Sequence, residues 1–566
     1  MKFSEYVYKR PDLDSVSKNF ESYVNDLNNA HSVESALEAI SKINTLRNHY
    51  ETARTISNIK YTGNTRDPKN EEEHNFFDDA KPTIDGLMSK YYKALVNTKH
   101  RTELEKKLGS HLFNVADKII STFNDSIIED LKKENHLVTQ YVKLMSSAEI
   151  NFKGQTYNIA GLSPLIMSTD RNLRKEATTA KWKFFEDNSK EFDRIFDELV
   201  KVRTTIAKKL GFKNFVELGY ARMRRTDYNH THVADFREHI RKHLVPVVLE
   251  LKEKQRKRLG LDKLYFYDND IDFNTGNAEP KGNPEWIMER AGKMYNELSH
   301  ETGEFMNYMM EGELTDLYNK AGKAPGGYCT FIADYKSPFI FSNMNGTSDD
   351  IRVLTHEAGH AFQGFCSRDF DIPEYRTPTM EACEIHSMSM EFLTWDWMNL
   401  FFEEQTDKFK YAHLERALKF IPYGVSVDEF QHFVYENPDA TPEERKKAWS
   451  AIEKKYLSFR DYDDIEFLKN GGFWQSQPHI YRLPFYYIDY CLAEICALQF
   501  WKKSVDNKKT AWEDYLGLCK EGGRYNFTEL IKIAKLKSPF EEATVKTAIE
   551  HPYKWLSSIN DAELEA

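Results

Sequence analysis

The sequence contains little of what ends a helix. Its 566 residues include only 25 glycines and 18 prolines, and these two residue types are the strongest local breakers of helical structure. No tract rich in proline, glycine or serine and no internal repeat occurs, which argues against a flexible linker or a repeat architecture. The sequence therefore predicts a mainly α-helical protein that buries a large core.

Long apolar runs and basic charge are also missing. No run of about 18 apolar residues occurs, so a membrane span is not expected. The N-terminal segment mixes charged and aromatic residues without an apolar centre, so we expect no secretory signal and a cytoplasmic protein. The net charge of −11 argues against a nucleic-acid partner, because phosphates require a basic surface.

One short segment carries the residue types of a metal site. His356, Glu357 and His360 form the pattern His-Glu-x-x-His. On an α-helix this spacing places both imidazoles on one face, one turn apart, with the carboxylate beside them. Two neutral histidine nitrogens can bind a catalytic zinc ion, and the glutamate can take a proton from a water molecule. Apolar residues recur around the motif at intervals of three and four, which favours a helix.

The start of this helix is expected just upstream of the motif. Ser348, Asp349 and Asp350 are candidates for its N-cap, since short polar side chains accept the first free backbone N–H groups.

A third metal ligand is required before the motif can be interpreted. With 18 histidines in the chain, a chance match has odds of roughly one in twenty. Residues 380–393 have a helical pattern in which Glu384 and Glu391 lie two turns apart on one face. One is expected to bind the ion and the other to orient a ligating histidine through its second ring nitrogen. Glu381 and His386 are competitors that spacing does not exclude.

The six cysteines all lie in the C-terminal half and lack the spacing of a disulfide framework. Reduced thiols are therefore expected. Cys366 and Cys383 flank the candidate ligands, but a free cysteine is more often a small buried apolar residue than a ligand.

A second candidate segment, residues 471–490, begins with two glycines and contains His479 and a helix start with three tyrosines. Tyr487 and Tyr490 are three residues apart, and Tyr486 and Tyr490 four apart, so two hydroxyls can share a helix face. Taken alone, these tyrosines are typical of core aromatics with a polar tip.

The motif and the later Glu-x6-Glu helix together resemble the M3 family of zinc metallopeptidases, the thimet oligopeptidase and oligoendopeptidase F group that includes Pz-peptidases. The resemblance implies that His356, His360 and Glu384 bind one zinc ion. It also implies that Glu357 is the catalytic base and that Glu391 supports a ligand.

In that family a histidine and tyrosines after the zinc helices contact substrate and stabilise the reacting carbonyl. His479, Tyr487 and Tyr490 match them best when the segment is aligned on Glu494, with a one-residue offset. Residues 480–484 replace the glycine-rich loop of thimet-type members, which resembles the oligoendopeptidase F branch and leaves the choice of tyrosine open.

The resemblance further implies two helical lobes flanking a deep substrate channel, with a small β-sheet beside the zinc helix. Residues 325–335 and 338–346 are rich in aromatic and β-branched residues between glycines, and they are the expected strands. An edge strand there can hold an extended peptide. We expect an N-terminal helical region over residues 1–162 and a catalytic region over residues 163–566.

The predicted function is a zinc-dependent endopeptidase that hydrolyses short unstructured oligopeptides. One alternative is a dipeptidyl carboxypeptidase with the same chemistry, which needs a cation for the peptide's C-terminal carboxylate. Another is a non-catalytic helical scaffold, although a His2Glu set leaves an open coordination position that structural sites usually close with cysteine.

Smaller features complete the expectations. Residues 151–157 are a candidate hairpin, and Gly211 is expected to end a helical run over residues 171–210. Residues 231–259 predict one long helix, and residues 264–268 a short strand. The basic residues 222–225 are expected to be solvated or salt-bridged rather than to bind a peptide carboxylate.

Overall fold

The computed structural model describes residues 1–320, 322–324 and 326–565, and most of them are helical, as predicted. The chain begins with α1 (Leu13–Asn28), α2 (Val33–Gly63), α3 (Pro68–Asn97), α4 (Arg101–Leu108), α5 (Ser110–Ser121) and α6 (Ile128–Ser146). The side chains of Asp12, Ser32 and Asp67 accept backbone N–H groups at the starts of the first three helices, which explains where those helices begin.

The predicted hairpin is present, formed by β1 (Ile150–Phe152) and β2 (Gln155–Tyr157) in antiparallel register. Lys153 and Gly154 both have positive φ, which suits a tight two-residue hairpin turn.

A second series of helices follows the hairpin. It consists of α7 (Ser163–Ile166), α8 (Arg171–Asp187), α9 (Ser189–Lys209), α10 (Phe215–Arg222), α11 (His230–His243), α12 (Val245–Arg258), α13 (Pro284–Leu298) and α14 (His300–Glu311). Gly211 has φ +83 after α9, as predicted. The prediction of a single helix over residues 231–259 is wrong, because α11 ends at His243 and a separate helix, α12, begins at Val245. Pro246 sits in the first turn of α12, where its missing N–H and rigid ring are tolerated.

The strand predicted at residues 264–268 is also wrong. Phe266–Asp268 form a 3-10 turn, in which the Asp268 carboxylate accepts the Tyr265 N–H at 3.0 Å. Arg171 and Arg174 both pair with Asp268, so this turn is fixed by buried charge rather than by a sheet.

The basic residues 222–225 are solvated or salt-bridged, as expected. Arg222 pairs with Glu134 and Arg225 with Asp489, whereas Arg224 is exposed.

The small sheet contains the two predicted strands and one that the sequence did not reveal. β3 (Thr315–Tyr318), β4 (Tyr328–Ile332) and β5 (Ser337–Met344) lie in the order β3-β5-β4. β5 pairs parallel with β3 and antiparallel with β4, so β4 is an edge strand. β5 is almost fully buried and packs with β4 against the helix that follows.

The rest of the chain is helical. It consists of α15 (Ser348–Cys366), α16 (Met380–Leu393), α17 (Asn399–Phe402), α18 (Thr406–Glu436), α19 (Pro442–Tyr456), α20 (Glu466–Lys469), α21 (Pro478–Arg482), α22 (Tyr487–Asp506), α23 (Lys508–Glu521), α24 (Phe527–Ile533), α25 (Glu542–Ser558) and α26 (Asp561–Glu565). Within the described residues, no helix is both long and apolar enough to cross a bilayer.

The predicted side-chain cap of the motif helix is wrong. Thr347 is the N-cap of α15 and makes no side-chain cap bond. Asp350 instead accepts the backbone N–H groups of Asn345 and Gly346, so its carboxylate orders the loop before the helix.

Two main apolar clusters build the interior. The larger one includes α15, α16, α18 and α22, and a second lies among α1, α2, α3 and α5. Helix α16 lies between α15 and α22 and is almost completely buried.

Candidate metal centre and active site

Two buried helices bring the predicted ligands together. α15 carries His356 and His360 one turn apart, and α16 carries Glu384 opposite them. The Nε2 atoms of His356 and His360 lie 3.3 Å and 3.6 Å from Glu384 Oε2. One ligand atom from each of the three residues lies within 4.8 Å of the ligand atoms of the other two. The geometry thus joins residues that the sequence places in two separate segments.

These distances fit a tetrahedral metal ion. Ligand atoms held about 2.0–2.2 Å from a four-coordinate zinc lie roughly 3.4 Å from one another. The donor set of two imidazoles and one carboxylate also matches catalytic zinc sites, which leave a fourth position for water. The three side chains can therefore hold such an ion without a large rearrangement.

Both oxygens of Glu384 are held by neighbours. The Tyr486 hydroxyl donates to Oε1 at 2.6 Å, and the Ser387 hydroxyl donates to Oε2 at 2.9 Å. Burial opposes the charge, but His360 and His356 outweigh it and lower the pKa of Glu384 to about 2. Glu384 is therefore an anionic carboxylate already aimed at the two imidazoles.

Glu391 lies behind His356, as predicted. Its Oε1 atom is 2.7 Å from His356 Nδ1, and its Oε2 atom is 2.8 Å from Nε2 of His413, a residue of α18 that the sequence did not reveal. A carboxylate on the second ring nitrogen fixes the orientation of a ligating histidine.

The structure separates the competitors on α16 from the ligand group. Tyr228 donates a hydrogen bond to Glu381, and Arg225 also approaches this carboxylate. Nδ1 of His386 lies 3.4 Å from Cys519 Sγ. Cys383 Sγ contacts the Pro378 carbonyl at 3.6 Å. All six cysteines lie among the described residues and are free, as predicted.

Gly359, between the two histidines of the candidate ligand group, sets the distance between α15 and α16. A Cβ atom at this position would lie 2.6 Å from the His386 carbonyl oxygen and 2.7 Å from Ser387 Cα. Only glycine allows backbones to approach this closely. A glycine inside an amphipathic helix was the available sequence signal for this contact.

Glu357 faces the start of β4 and is 8% exposed. A Cβ atom on Gly327 would lie 3.6 Å from Glu357 Oε1, so the strand runs close over this carboxylate. Burial raises the pKa of Glu357 to about 7. A carboxyl group with a pKa near neutrality is suited to both accepting and returning a proton.

His479 and the three tyrosines form one aromatic group. The ring centroid of His479 lies 5.0 Å from that of Tyr487, 5.8 Å from Tyr486 and 5.9 Å from Tyr490. Burial raises the pKa of Tyr490, and the charges of Glu384 and Glu357 raise it further. Burial also raises the pKa of Tyr487, but the next largest contributions to this shift come from Tyr423 and Cys491. Tyr490 is therefore the tyrosine whose pKa responds to both Glu384 and Glu357.

The residue before these tyrosines has an unusual backbone. Phe485 has φ +67, and its N–H donates to Gln431 Oε1 at 2.8 Å, while its carbonyl accepts from Arg225 at 2.5 Å. Its ring is fully buried against Gly219, where an added Cβ would lie 2.4 Å from Phe485 Cδ2. Left-handed backbone in a bulky residue persists only where its surroundings hold it. This arrangement fixes the direction in which α22 begins.

The chain matches two family models, described as Peptidase M3 N-terminal domain over residues 3–123 and Peptidase family M3 over residues 165–549. The oligoendopeptidase F homolog of Borreliella burgdorferi is 25% identical over 419 residues, which cover 69% of this chain and 68% of the relative. Group B oligopeptidase PepB of Streptococcus agalactiae is 23% identical over 389 residues, which cover 66% and 61% respectively.

Solved structures resemble the whole chain. PZ peptidase A with inhibitor 2 is 54% identical with a TM-score of 0.96, covering 99% of this chain and 100% of that one. A putative oligoendopeptidase F from Bacillus anthracis is 50% identical with a TM-score of 0.91, covering 100% and 99%.

Proposed function

The chain belongs to peptidase family M3 and is a metalloendopeptidase, and we propose that it uses one zinc ion to cleave internal bonds of short unstructured oligopeptides. The observation that carries this proposal is the convergence of His356, His360 and Glu384 within 4.8 Å. Two imidazoles and one carboxylate match the ligands of zinc hydrolases that keep a position open for water.

Zinc in this position supplies a Lewis acid, which polarises a carbonyl and lowers the pKa of water. Glu357 accepts the proton of the attacking water and then transfers it to the leaving amine. The burial of Glu357 supports this role, because it raises the pKa of the Glu357 carboxyl group to about 7. A group with a pKa near the working pH is an efficient donor and acceptor.

Attack on the peptide carbonyl creates an oxyanion that needs hydrogen-bond donors. Tyr490 is our first candidate, because its ring packs against His479 and Tyr486 and its pKa is raised by the charges of both Glu384 and Glu357. Tyr487 is the alternative, and His479 packs against both rings. Loss of one such donor typically lowers the turnover number by about 10² to 10³.

The edge strand β4 offers backbone groups beside Glu357. We propose that a peptide binds there in extended form and adds one strand to the sheet. We place the catalytic region at residues 163–566, with residues 1–162 as a helical wall of the substrate channel. A channel of this kind would favour short unstructured chains over folded proteins.

The test uses an internally quenched peptide with an acetylated N-terminus and an amidated C-terminus. An endopeptidase cleaves it, whereas a dipeptidyl carboxypeptidase requires a free C-terminal carboxylate. Mass spectrometry of the products then locates the cleaved bond. Cleavage only of the peptide with a free C-terminus, always two residues from that end, would replace the proposal with the carboxypeptidase alternative.

A further inference from the structure

A chain of hydrogen bonds runs from His356 away from the candidate metal centre. His356 Nδ1 lies 2.7 Å from Glu391 Oε1, and Glu391 Oε2 lies 2.8 Å from His413 Nε2. Trp395 Nε1 donates to His413 Nδ1 at 2.9 Å. Trp395 is 9% exposed, His413 8% and Glu391 7%, so these bonds are formed away from bulk water.

The donor and acceptor in each bond follow from the chemistry of the indole. The indole N–H of Trp395 donates and has no lone pair to accept, so Nδ1 of His413 is unprotonated. The proton of the neutral His413 ring is therefore on Nε2, which donates to Glu391 Oε2. Glu391 remains an acceptor for His356 Nδ1–H.

The bond to Glu391 also orients the ring of His356. With Nδ1 held by Glu391, the other ring nitrogen, Nε2, faces Glu384 Oε2 at 3.3 Å. A metal ion binds a neutral imidazole through the lone pair of such a nitrogen. The four hydrogen-bonded side chains therefore fix which nitrogen of His356 points towards the candidate metal centre.

Aromatic rings hold the outer half of this chain in place. The His413 ring stacks on Phe409 at 5.6 Å between centroids, and it packs against Phe392 at 4.8 Å. Trp395 packs against Trp555 at 5.7 Å. Rotation of either ring away from its partner would leave a buried polar group without a hydrogen bond, which is unfavourable.

We propose that Trp395 and His413 are positioning residues for the metal centre. They hold the carboxyl group of Glu391 in place against His356 Nδ1 and so fix the orientation of the His356 ring, although both lie outside the ligand group. This inference rests on the proposed zinc centre but not on the identity of the peptide substrate. Supporting groups of this kind typically change metal affinity by 10- to 100-fold.

The test measures zinc affinity of the metal-free protein by competition with a chromophoric chelator. Trp395→Phe keeps a buried ring but removes the donor, and His413→Phe removes both bonds of the imidazole. We expect zinc affinity to fall about tenfold in the first variant and up to 100-fold in the second. His413→Gln retains an amide donor for Glu391 and should recover part of the loss.

Trp449→Phe is the matched control. Trp449 is fully buried, but its indole nitrogen has no hydrogen-bond partner among the described residues. We expect parental zinc affinity for this variant. At saturating zinc, KM should stay at the parental value in every variant, because the side chains of Trp395 and His413 lie outside the ligand group.

Parental zinc affinity in folded Trp395→Phe and His413→Phe proteins would overturn the inference. Circular dichroism and the thermal midpoint of the metal-free proteins establish folding. A parent that binds zinc but does not cleave peptides would contradict the proposed function and leave the affinity comparison valid, so the two failures are distinguishable.

Discussion

The Tyr486 hydroxyl donates a hydrogen bond of 2.6 Å to Glu384 Oε1. Of the three tyrosines in this segment, Tyr486 thus contacts the candidate ligand, while Tyr490 is influenced by both Glu384 and Glu357. We therefore propose separable roles for the two tyrosines: Tyr486 holds the candidate ligand, and Tyr490 contacts the reacting carbonyl.

Tyr490→Phe should lower kcat by about 10² to 10³ with little change in zinc content, because it removes an oxyanion donor. Tyr487→Phe is the matched control, and a smaller loss is expected because its ring packs towards Phe420 and Tyr423. Steady-state cleavage of the quenched peptide gives both values. An unchanged kcat for Tyr490→Phe, with a large loss in Tyr487→Phe, would exchange the two assignments.

Tyr486→Phe should weaken zinc binding, because Glu384 loses a donor that orients its carboxylate. A change of 10-fold or more is typical of groups that orient a metal ligand. Chelator competition measures it. A loss of kcat at full zinc occupancy with parental zinc affinity would show instead that Tyr486 acts on the substrate.

Gly359→Ala should force α15 and α16 apart, since the added Cβ meets the backbone at His386 and Ser387. Overpacking of this kind typically costs about 1–3 kcal/mol of stability. We expect a lower thermal midpoint and weaker zinc binding. Gly517→Ala is the matched control, because Gly517 is also helical and has open space around its Cβ position. Equal midpoints for the two variants would contradict the close packing.

Gly219→Ala should displace the ring of Phe485, whose Cδ2 atom lies 2.4 Å from the added Cβ position. Because Phe485 fixes the start of α22, the tyrosines should move, so kcat should fall and, through the bond of Tyr486 to Glu384, zinc affinity should fall as well. Gly86→Ala, in α3, adds a methyl group in open space and serves as the control. Parental kcat in Gly219→Ala would mean that this clamp does not position the tyrosines.

His479 gives a prediction for the pH dependence of stability. Burial and the charge of Arg482 lower the pKa of its imidazole to about 4, whereas an unfolded histidine titrates near about 6.5. Between these values the unfolded state binds a proton that the folded state does not. The parent therefore loses stability as pH falls through this window.

Replacing His479 with glutamine removes this titration. The thermal midpoint of His479→Gln, relative to the parent, should rise as pH is lowered from about 7 to about 5. His300→Gln changes an exposed histidine and should show no such trend. A difference between His479→Gln and parent that is independent of pH would contradict the burial of a neutral imidazole.

The local part of the structure was predictable from sequence. Helical periodicity, scarce glycine and proline, and the aromatic strands before α15 gave the fold class and the position of the sheet. The break at Leu244 had a signal in Pro246, whereas β3 is a short strand whose partner β5 lies farther along the chain.

The site was predictable only where its residues follow a fixed spacing. His356, Glu357 and His360 share one helix, so their spacing fixes their relation. His413 and Arg225 reach the site from other helices and loops, and no local pattern reveals such contacts. Glu381 and Glu384 both lie on α16, and spacing alone does not show which of them is the ligand. Their contacts do: Glu381 lies near Arg225, whereas Glu384 lies near the imidazoles.

The central claim is that His356, His360 and Glu384 hold one ion that drives hydrolysis. Zinc titration of the chelator-treated protein, followed by cleavage of the doubly capped peptide, tests it most directly. We predict no cleavage without metal and a cleavage rate that rises linearly with added zinc until one zinc ion per chain is bound. At that ratio, the Glu384→Ala variant should not regain cleavage. Full cleavage by the metal-free protein, or a Glu384→Ala titration identical to the parent, would contradict the account.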